Sequence, residues 1–317
     1  MFSQKMDMFP LMSTTTLVWH QAKPYIRKLN RNDRVKRLTS QNSLRFPVQT
    51  FMKKRLSILL FSLTAFLWMA ATQVQRPTLY LIGDSTVKNS NDKGDGGMWG
   101  WGHFIDAYFD TTRIHIENHA IGGRSSRTFL TEGRWDKIMT RLKPGDFVMI
   151  QFGHNDASAV NDTLRARGTL KGTGNETQEI DNLITKKHEI VHSYGWYIRK
   201  YVTDTKAKGA IPIVLSLVPR NSWKEGKVIR GDTDYGKWAA EVANGEQGGK
   251  SGAYFINLNE LVARKYDVVG DSTLLQATYF VKDNTHTNAA GAKVNASSVI
   301  DGLKELKACP LNKFVNE

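Results

Sequence analysis

Cysteine is almost missing from the sequence: Cys309, close to the end of 317 residues, is the only one. An intrachain disulfide is therefore impossible, and stability must come from core packing. No visible neighbour would make Cys309 a thiolate, so it reads as a structural residue rather than a nucleophile. Acidic residues are also few, 30 against 44 Lys and Arg, a formal net charge of +14. Such an imbalance points to an acidic partner, but its placement argues otherwise. Residues 1–55 carry twelve basic and two acidic side chains, net +10, which leaves only +4 for the rest. Nucleic acid is discounted as a partner. Outside the motifs that follow, no His/Cys/carboxylate spacing suits a metal. No internal repeat or linker divides the chain after residue 76.

Long apolar runs are equally scarce. The clearest, Leu56–Ala71, is interrupted only by Ser57, Ser62 and Thr64 and is short for a membrane span. Met52-Lys53-Lys54-Arg55 precedes it as a charged head. Ala70, Ala71 and Thr72 offer small residues for cleavage, without a clean A-x-A. Residues 52–73 are thus expected to be a secretory signal peptide, an uncleaved anchor being the alternative. No cysteine follows the run to carry a lipid. The expected location is periplasmic or extracellular, with no stable membrane association after cleavage. A signal peptide belongs at the start of a chain, so the basic, irregular leader 1–51 is expected not to be part of the native protein. Translation would begin at Met52; the alternative is a basic cytoplasmic tail ahead of an anchor.

What is present after residue 76 alternates strands with helices, in a chain 40% hydrophobic and 23% charged. Thr78–Ser85 opens as an apolar, β-branched and aromatic run and ends in Gly83-Asp84-Ser85, a tight turn at a strand end. Further strands are expected at 114–116, 147–152, 211–218 and 253–258. Helices are expected at 103–109, 134–142, 184–208, 235–243, 261–266 and 289–306. In the long one, Ile190, Val191, Tyr194, Tyr197, Ile198 and Tyr201 supply an apolar stripe. Residues 157–181 read as a polar surface insertion. This alternation implies a parallel sheet covered on both faces, of about five strands. In such sheets ligands bind beyond the carboxyl ends of the strands.

Polar segments recur beside those strand ends or in loops above the sheet: Gly83-Asp84-Ser85-Thr86, Gly123-Arg124-Ser125, Phe152-Gly153-His154-Asn155-Asp156 and Asp283-Asn284-Thr285-His286-Thr287. Taken singly, each is an ordinary turn, cap or loop. Together with Gly100-Trp101-Gly102, the ordered set resembles the blocks of the SGNH, or GDSL, hydrolase family, and more closely its rhamnogalacturonan acetylesterase branch. The resemblance spans residues 77–306. Gly122 stands where an alanine is expected and Asn284 where a histidine is common; neither position carries chemistry in that family. The resemblance implies a three-layer α/β/α, flavodoxin-like domain over residues 77–317. Ser85 would be the nucleophile, His286 its base and Asp283 the group that orients and balances the imidazole. The oxyanion hole would comprise the backbone N–H groups of Ser85 and Gly123 and the side-chain amide of Asn155.

The reaction so implied needs no cofactor and no metal. Its substrate would be an acetylated polysaccharide or oligosaccharide of the plant cell wall, most closely pectic rhamnogalacturonan. Xylan acetylesterases and other small-acyl esterases are the rivals on the same fold, and a non-catalytic carbohydrate-binding protein is the rival of another class. Trp99, Trp101, Arg124, Arg220 and Trp223 are candidate cleft residues, through ring stacking on sugars and contact with a uronate. Each is equally open to being a core tryptophan or a salt-bridged arginine. His154 and His119 are expected to make supporting hydrogen bonds, and Asp84 to accept bonds within its turn.

Overall fold

A computed structural model of the chain describes residues 75–89, 93–245 and 252–316. The expected leader (1–51) and signal peptide (52–73) lie outside the described residues. The first strands are β1 (Thr78–Gly83), β2 (His115–Asn118) and β3 (Phe147–Gln151). An antiparallel hairpin of β4 (Thr177–Asp181) and β5 (His188–His192) comes next, then β6 (Ile211–Leu215). A shorter hairpin, β7 (Trp223–Lys224) with β8 (Lys227–Val228), precedes β9 (Tyr254–Ile256). The central sheet is β2-β1-β3-β6-β9, parallel throughout.

Strand side chains alternate between the two faces of a sheet. In β1, Leu79 and Leu81 therefore enter one core, and Tyr80 and Ile82 the other. Phe147 and Met149 of β3 are divided in the same way from Val148 and Ile150. A strand buried on both faces has no place for polar alternation, and β1 and β3 are buried along their whole length.

Helices α1 (Ser126–Thr131), α2 (Arg134–Met139), α3 (Tyr194–Ala207) and α4 (Tyr235–Asn244) cover one face through Phe129, Trp135, Tyr201 and Val242. Helices α5 (Leu258–Val269), α6 (Ser272–Tyr279) and α7 (Ala289–Glu305) cover the other through Val262, Tyr266, Leu275 and Val299. The architecture is the expected three-layer α/β/α fold with five parallel strands.

Several local expectations change. The helix expected at 103–109 is two 3-10 turns, Trp101–His103 and Asp106–Tyr108. The long helix expected from 184 starts only at Tyr194, where the Ser193 hydroxyl caps it by accepting from the Trp196 N–H at 3.1 Å. Ile190 and Val191 belong to β5, not to the helix stripe. Val191 is buried while Ile190 is 49% exposed, the two-residue period of a strand. The polar segment 157–181 supplies its partner, β4. Helix α6, which no expected element covered, occupies residues 272–279.

Candidate active site

β1 lies between β2 and β3, and the chain leaves it first toward one neighbour and then toward the other. The carboxyl ends of these strands flank the crevice that such a reversal opens. Ser85 follows β1, Gly123 follows β2 and Asn155 follows β3, so one sheet edge collects all three. A cleft of ≈ 870 Å³ opens there, lined by these residues and by Asp283 and His286.

The turn carrying Ser85 is built from below. The Asp84 carbonyl accepts from the Val87 and Lys88 N–H groups, and its Oδ1 accepts from the Thr86 N–H at 2.9 Å and the Thr86 hydroxyl at 2.8 Å. Thr86 Oγ1 accepts from Gln151 Nε2 at 2.7 Å, and Gln151 Oε1 accepts from Trp101 Nε1 at 2.8 Å. This buried relay from Trp101 to Asp84 ties β3 to the Ser85 turn. It also corrects the reading of Trp101 as a sugar platform: its ring is fully buried. Gly100 is required beside it, because a Cβ there would lie 2.5 Å from the Lys88 backbone.

Asp283 and His286 arrive from the loop between α6 and α7. The Trp99 and Thr287 segments are laced together: Trp99 N–H donates to the Thr287 carbonyl at 2.9 Å, and the Thr287 hydroxyl donates to the Trp99 carbonyl at 3.0 Å. Trp99 thus anchors the histidine loop through its backbone. Its ring packs on His103 and Phe104 and is not in the cleft wall.

Asp283 folds its own loop, Oδ1 accepting from the N–H groups of Thr285 and His286 at 2.8 Å each. Its Oδ2 lies 2.7 Å from His286 Nδ1. A carboxylate can only accept, so Nδ1 carries the proton and Nε2 is left to accept from the Ser85 hydroxyl at 2.8 Å. Burial pushes the Asp283 carboxyl up, but the bonds from the His286 ring and backbone and from Thr285 outweigh it and hold it below the usual range. It is therefore ionised and fit to balance an imidazolium.

The three oxyanion donors that the resemblance implies belong to residues lining the same cleft, Ser85, Gly123 and Asn155. Gly123 has φ +77°, the left-handed region. Among the described residues, neither the Ser85 nor the Gly123 N–H has an acceptor. Asn155 is 7% exposed, and its Nδ2 donates to the Arg124 carbonyl at 2.8 Å, which leaves its second hydrogen unengaged. Asp156 next to it accepts from the Ser126 N–H at 3.1 Å and the Ser126 hydroxyl at 2.5 Å, fixing the start of α1. Burial pushes the Asp156 carboxyl up to about 7; the Ser126 bonds oppose that, and the nearby charge of Asp84 adds to it.

The remaining candidates divide. Arg124 and Arg220 line the cleft. Arg124 is engaged, its Nε 3.1 Å from Glu132 and its Nη1 donating to the Gly122 carbonyl at 3.1 Å. Arg220 donates to the Thr285 hydroxyl. Trp223 is a correction: its indole donates to Asn221 Oδ1 at 2.7 Å and packs on the core, away from the cleft wall.

His154 departs from expectation too. Its ring is buried at the cleft wall, with no side-chain partner and only a weak contact to the Val218 backbone. Burial lowers its pKa to about 4, against the pull of Asp84, so the ring stays neutral. His119 does make the expected supporting bond, to Glu117 at 2.9 Å. Lys88, Arg165 and Arg167 also line the cleft. Sequence reasoning missed them because they sit outside any motif, the two arginines within the polar insertion. Among the described residues, no cluster of three or more His, Cys, Asp or Glu side chains is arranged to hold a metal.

A serine bonded to an imidazole, the imidazole bonded to a carboxylate, and unengaged N–H groups of residues in the same cleft have the geometry of a serine hydrolase site. The chain belongs to the GDSL-like lipase/acylhydrolase family, whose pattern matches residues 81–294, and it is an esterase. Among its relatives is the rhamnogalacturonan acetylesterase of Emericella nidulans, 31% identical over 226 residues, or 71% of this chain and 84% of that one. The probable rhamnogalacturonan acetylesterase YesY of Bacillus subtilis is 30% identical over 242 residues, covering 75% and 96%. The crystal structure of Bacillus subtilis YxiM matches with a TM-score of 0.58 at 24% identity, and so shares the fold. That match covers 74% of this chain, which spans 58% of the YxiM chain.

Proposed function

We propose that the protein removes acetyl groups from plant cell-wall polysaccharide, with rhamnogalacturonan as substrate. The observation that carries the reading is the Ser85–His286–Asp283 chain at 2.8 and 2.7 Å, open to the cleft. The Ser85 oxygen attacks the acetyl carbonyl as its proton passes to His286 Nε2. Asp283 stabilises the imidazolium without taking a proton itself. Negative charge on the carbonyl oxygen meets the N–H groups of Ser85 and Gly123 and the Asn155 amide. The bond from the carbonyl carbon to the sugar oxygen then breaks as His286 protonates that oxygen, which leaves as a hydroxyl. Water, deprotonated by the same ring, attacks the acetyl-serine and releases acetate.

The substrate rests on two relatives whose names specify rhamnogalacturonan, matched over 71% and 75% of this chain. Export is part of the reading and rests on residues 52–73. Acetate release from acetylated pectin, xylan and mannan, measured side by side, tests the substrate. Equal or greater release from xylan or mannan would overturn the assignment to rhamnogalacturonan. Amino-terminal sequencing of the native protein tests export: a mature end beyond the apolar run 56–71 is expected and an intact run would contradict it, while peptides from 1–51 would refute a start at Met52.

A further inference from the structure

The cleft wall holds five cationic side chains, and two of them are neutralised. Lys88 pairs with Asp95 at 2.5 Å and Arg124 with Glu132 at 3.1 Å. Arg165, Arg167 and Arg220 have no carboxylate within ion-pair distance among the described residues. Arg167 is half-buried. Its Nε donates to the Ser158 hydroxyl at 3.0 Å and its Nη1 to the Gly123 carbonyl at 2.9 Å, while Nη2 has no acceptor. The exposed Arg165 side chain donates to nothing among the described residues. Burial, and secondly the nearby charge of Arg165, lower the pKa of Arg167, against the pull of the Asp84, Asp156 and Asp162 carboxylates.

Two like charges close together without a directly paired carboxylate repel each other, and the hydrogen bonds of this loop hold them in place. Asp162 Oδ1 accepts from the N–H groups of Leu164, Arg165 and Ala166 at 2.9, 2.6 and 2.9 Å. Ala166, between the arginines, has φ +39°, a left-handed conformation that a residue with a Cβ rarely adopts. Arg127, fully buried, ties both flanks of the loop by donating to the Val160 and Gly168 carbonyls at 2.7 and 2.9 Å. Backbone strain of this kind persists where the surroundings over-determine it, and it accompanies ligand clamps.

We propose that Arg165 and Arg167 form an anion subsite that takes the carboxylate of a uronic acid residue next to the acetylated sugar. This rests on the polysaccharide reading given under Proposed function. Arg167 touches the Gly123 carbonyl, so the subsite abuts the loop that lines the cleft together with Ser85. The planar guanidinium fork matches a carboxylate better than it matches neutral hydroxyls. Arg220, beside Thr285, extends the positive field along the cleft.

The test is inhibition of chromogenic-acetate hydrolysis at low ionic strength by oligogalacturonate, xylo-oligosaccharide or inorganic sulfate. Oligogalacturonate should inhibit at least tenfold more tightly than either of the others. Arg165→Glu should weaken that inhibition at least tenfold and leave xylo-oligosaccharide inhibition as it was. Arg165→Gln should fall between, with melting temperature reporting the fold of both variants. Unchanged oligogalacturonate inhibition in Arg165→Glu would overturn the subsite. Sulfate as tight as oligogalacturonate would overturn its assignment to a uronate. The two readings fail separately. Tight, Arg165-dependent inhibition without acetate release from pectin sinks the proposed substrate alone, and acetate release with unchanged inhibition sinks the subsite alone.

Discussion

Replacing Asn155 with alanine separates catalysis from architecture in one protein. The side chain has two prospective duties, a bond to the Arg124 carbonyl at 2.8 Å and donation to the oxyanion through its second amide hydrogen. The first belongs to the resting fold, where a net hydrogen bond is worth about 0.5–1.5 kcal/mol. In a domain of this size that lowers Tm by about 1–6 °C. The second matters only once charge develops on the carbonyl oxygen. Removing one such donor typically lowers kcat by about 10²–10³, or ~2.7–4 kcal/mol. Because ground-state binding barely uses the donor, KM should move little. Steady-state hydrolysis of a chromogenic acetate, run well below the measured Tm, reads the two effects independently. A folded, slightly destabilised variant with near-normal kcat would remove Asn155 from the reaction and leave the Ser85 and Gly123 N–H groups as the donors.

Ser85→Ala should abolish ester hydrolysis while Tm stays nearly constant, because only the hydroxyl bonded to His286 is lost. A serine-directed phosphonate should label the wild type at Ser85, and labelling elsewhere with activity kept in the variant would refute the assignment. Arg127→Ala should cost about 3–5 kcal/mol. It strips partners from Glu189, bonded at 2.6 and 2.7 Å, and from two carbonyls. A Tm loss of only a degree or two would show that the clamp is dispensable. Asp156 gives a pH signature. Its folded pKa of about 7 lies above the ~3.9 of an unfolded aspartate, so the folded state holds the proton more tightly. Its contribution is complete below about pH 4 and is lost as pH rises to about 7. Asp156→Asn should remove this fall from the curve of denaturant midpoint against pH; superimposable pH slopes would mean that Asp156 titrates normally.

The fully buried strands were legible along the chain, since a strand covered on both faces must be apolar throughout. The same local rule misled at residues 184–193, where a run with apolar residues at helical spacing was instead drawn into a hairpin by pairing with 177–181. Long-range partners of that kind leave no mark on the segment itself. Ser85, Gly123, Asn155, Asp283 and His286 could be named because their short motifs, ordinary turns when taken singly, resemble in their order the blocks of one family. The tryptophans could not be sorted that way. Indole suits a sugar face and a protein core equally, and only packing put Trp101 into a buried relay under the nucleophile turn. Arg165 and Arg167 were out of reach for the opposite reason: two charged residues in a polar insertion look like a solvated surface. Their meaning depends on which counter-charges lie within a few ångströms, and that is a property of the folded chain.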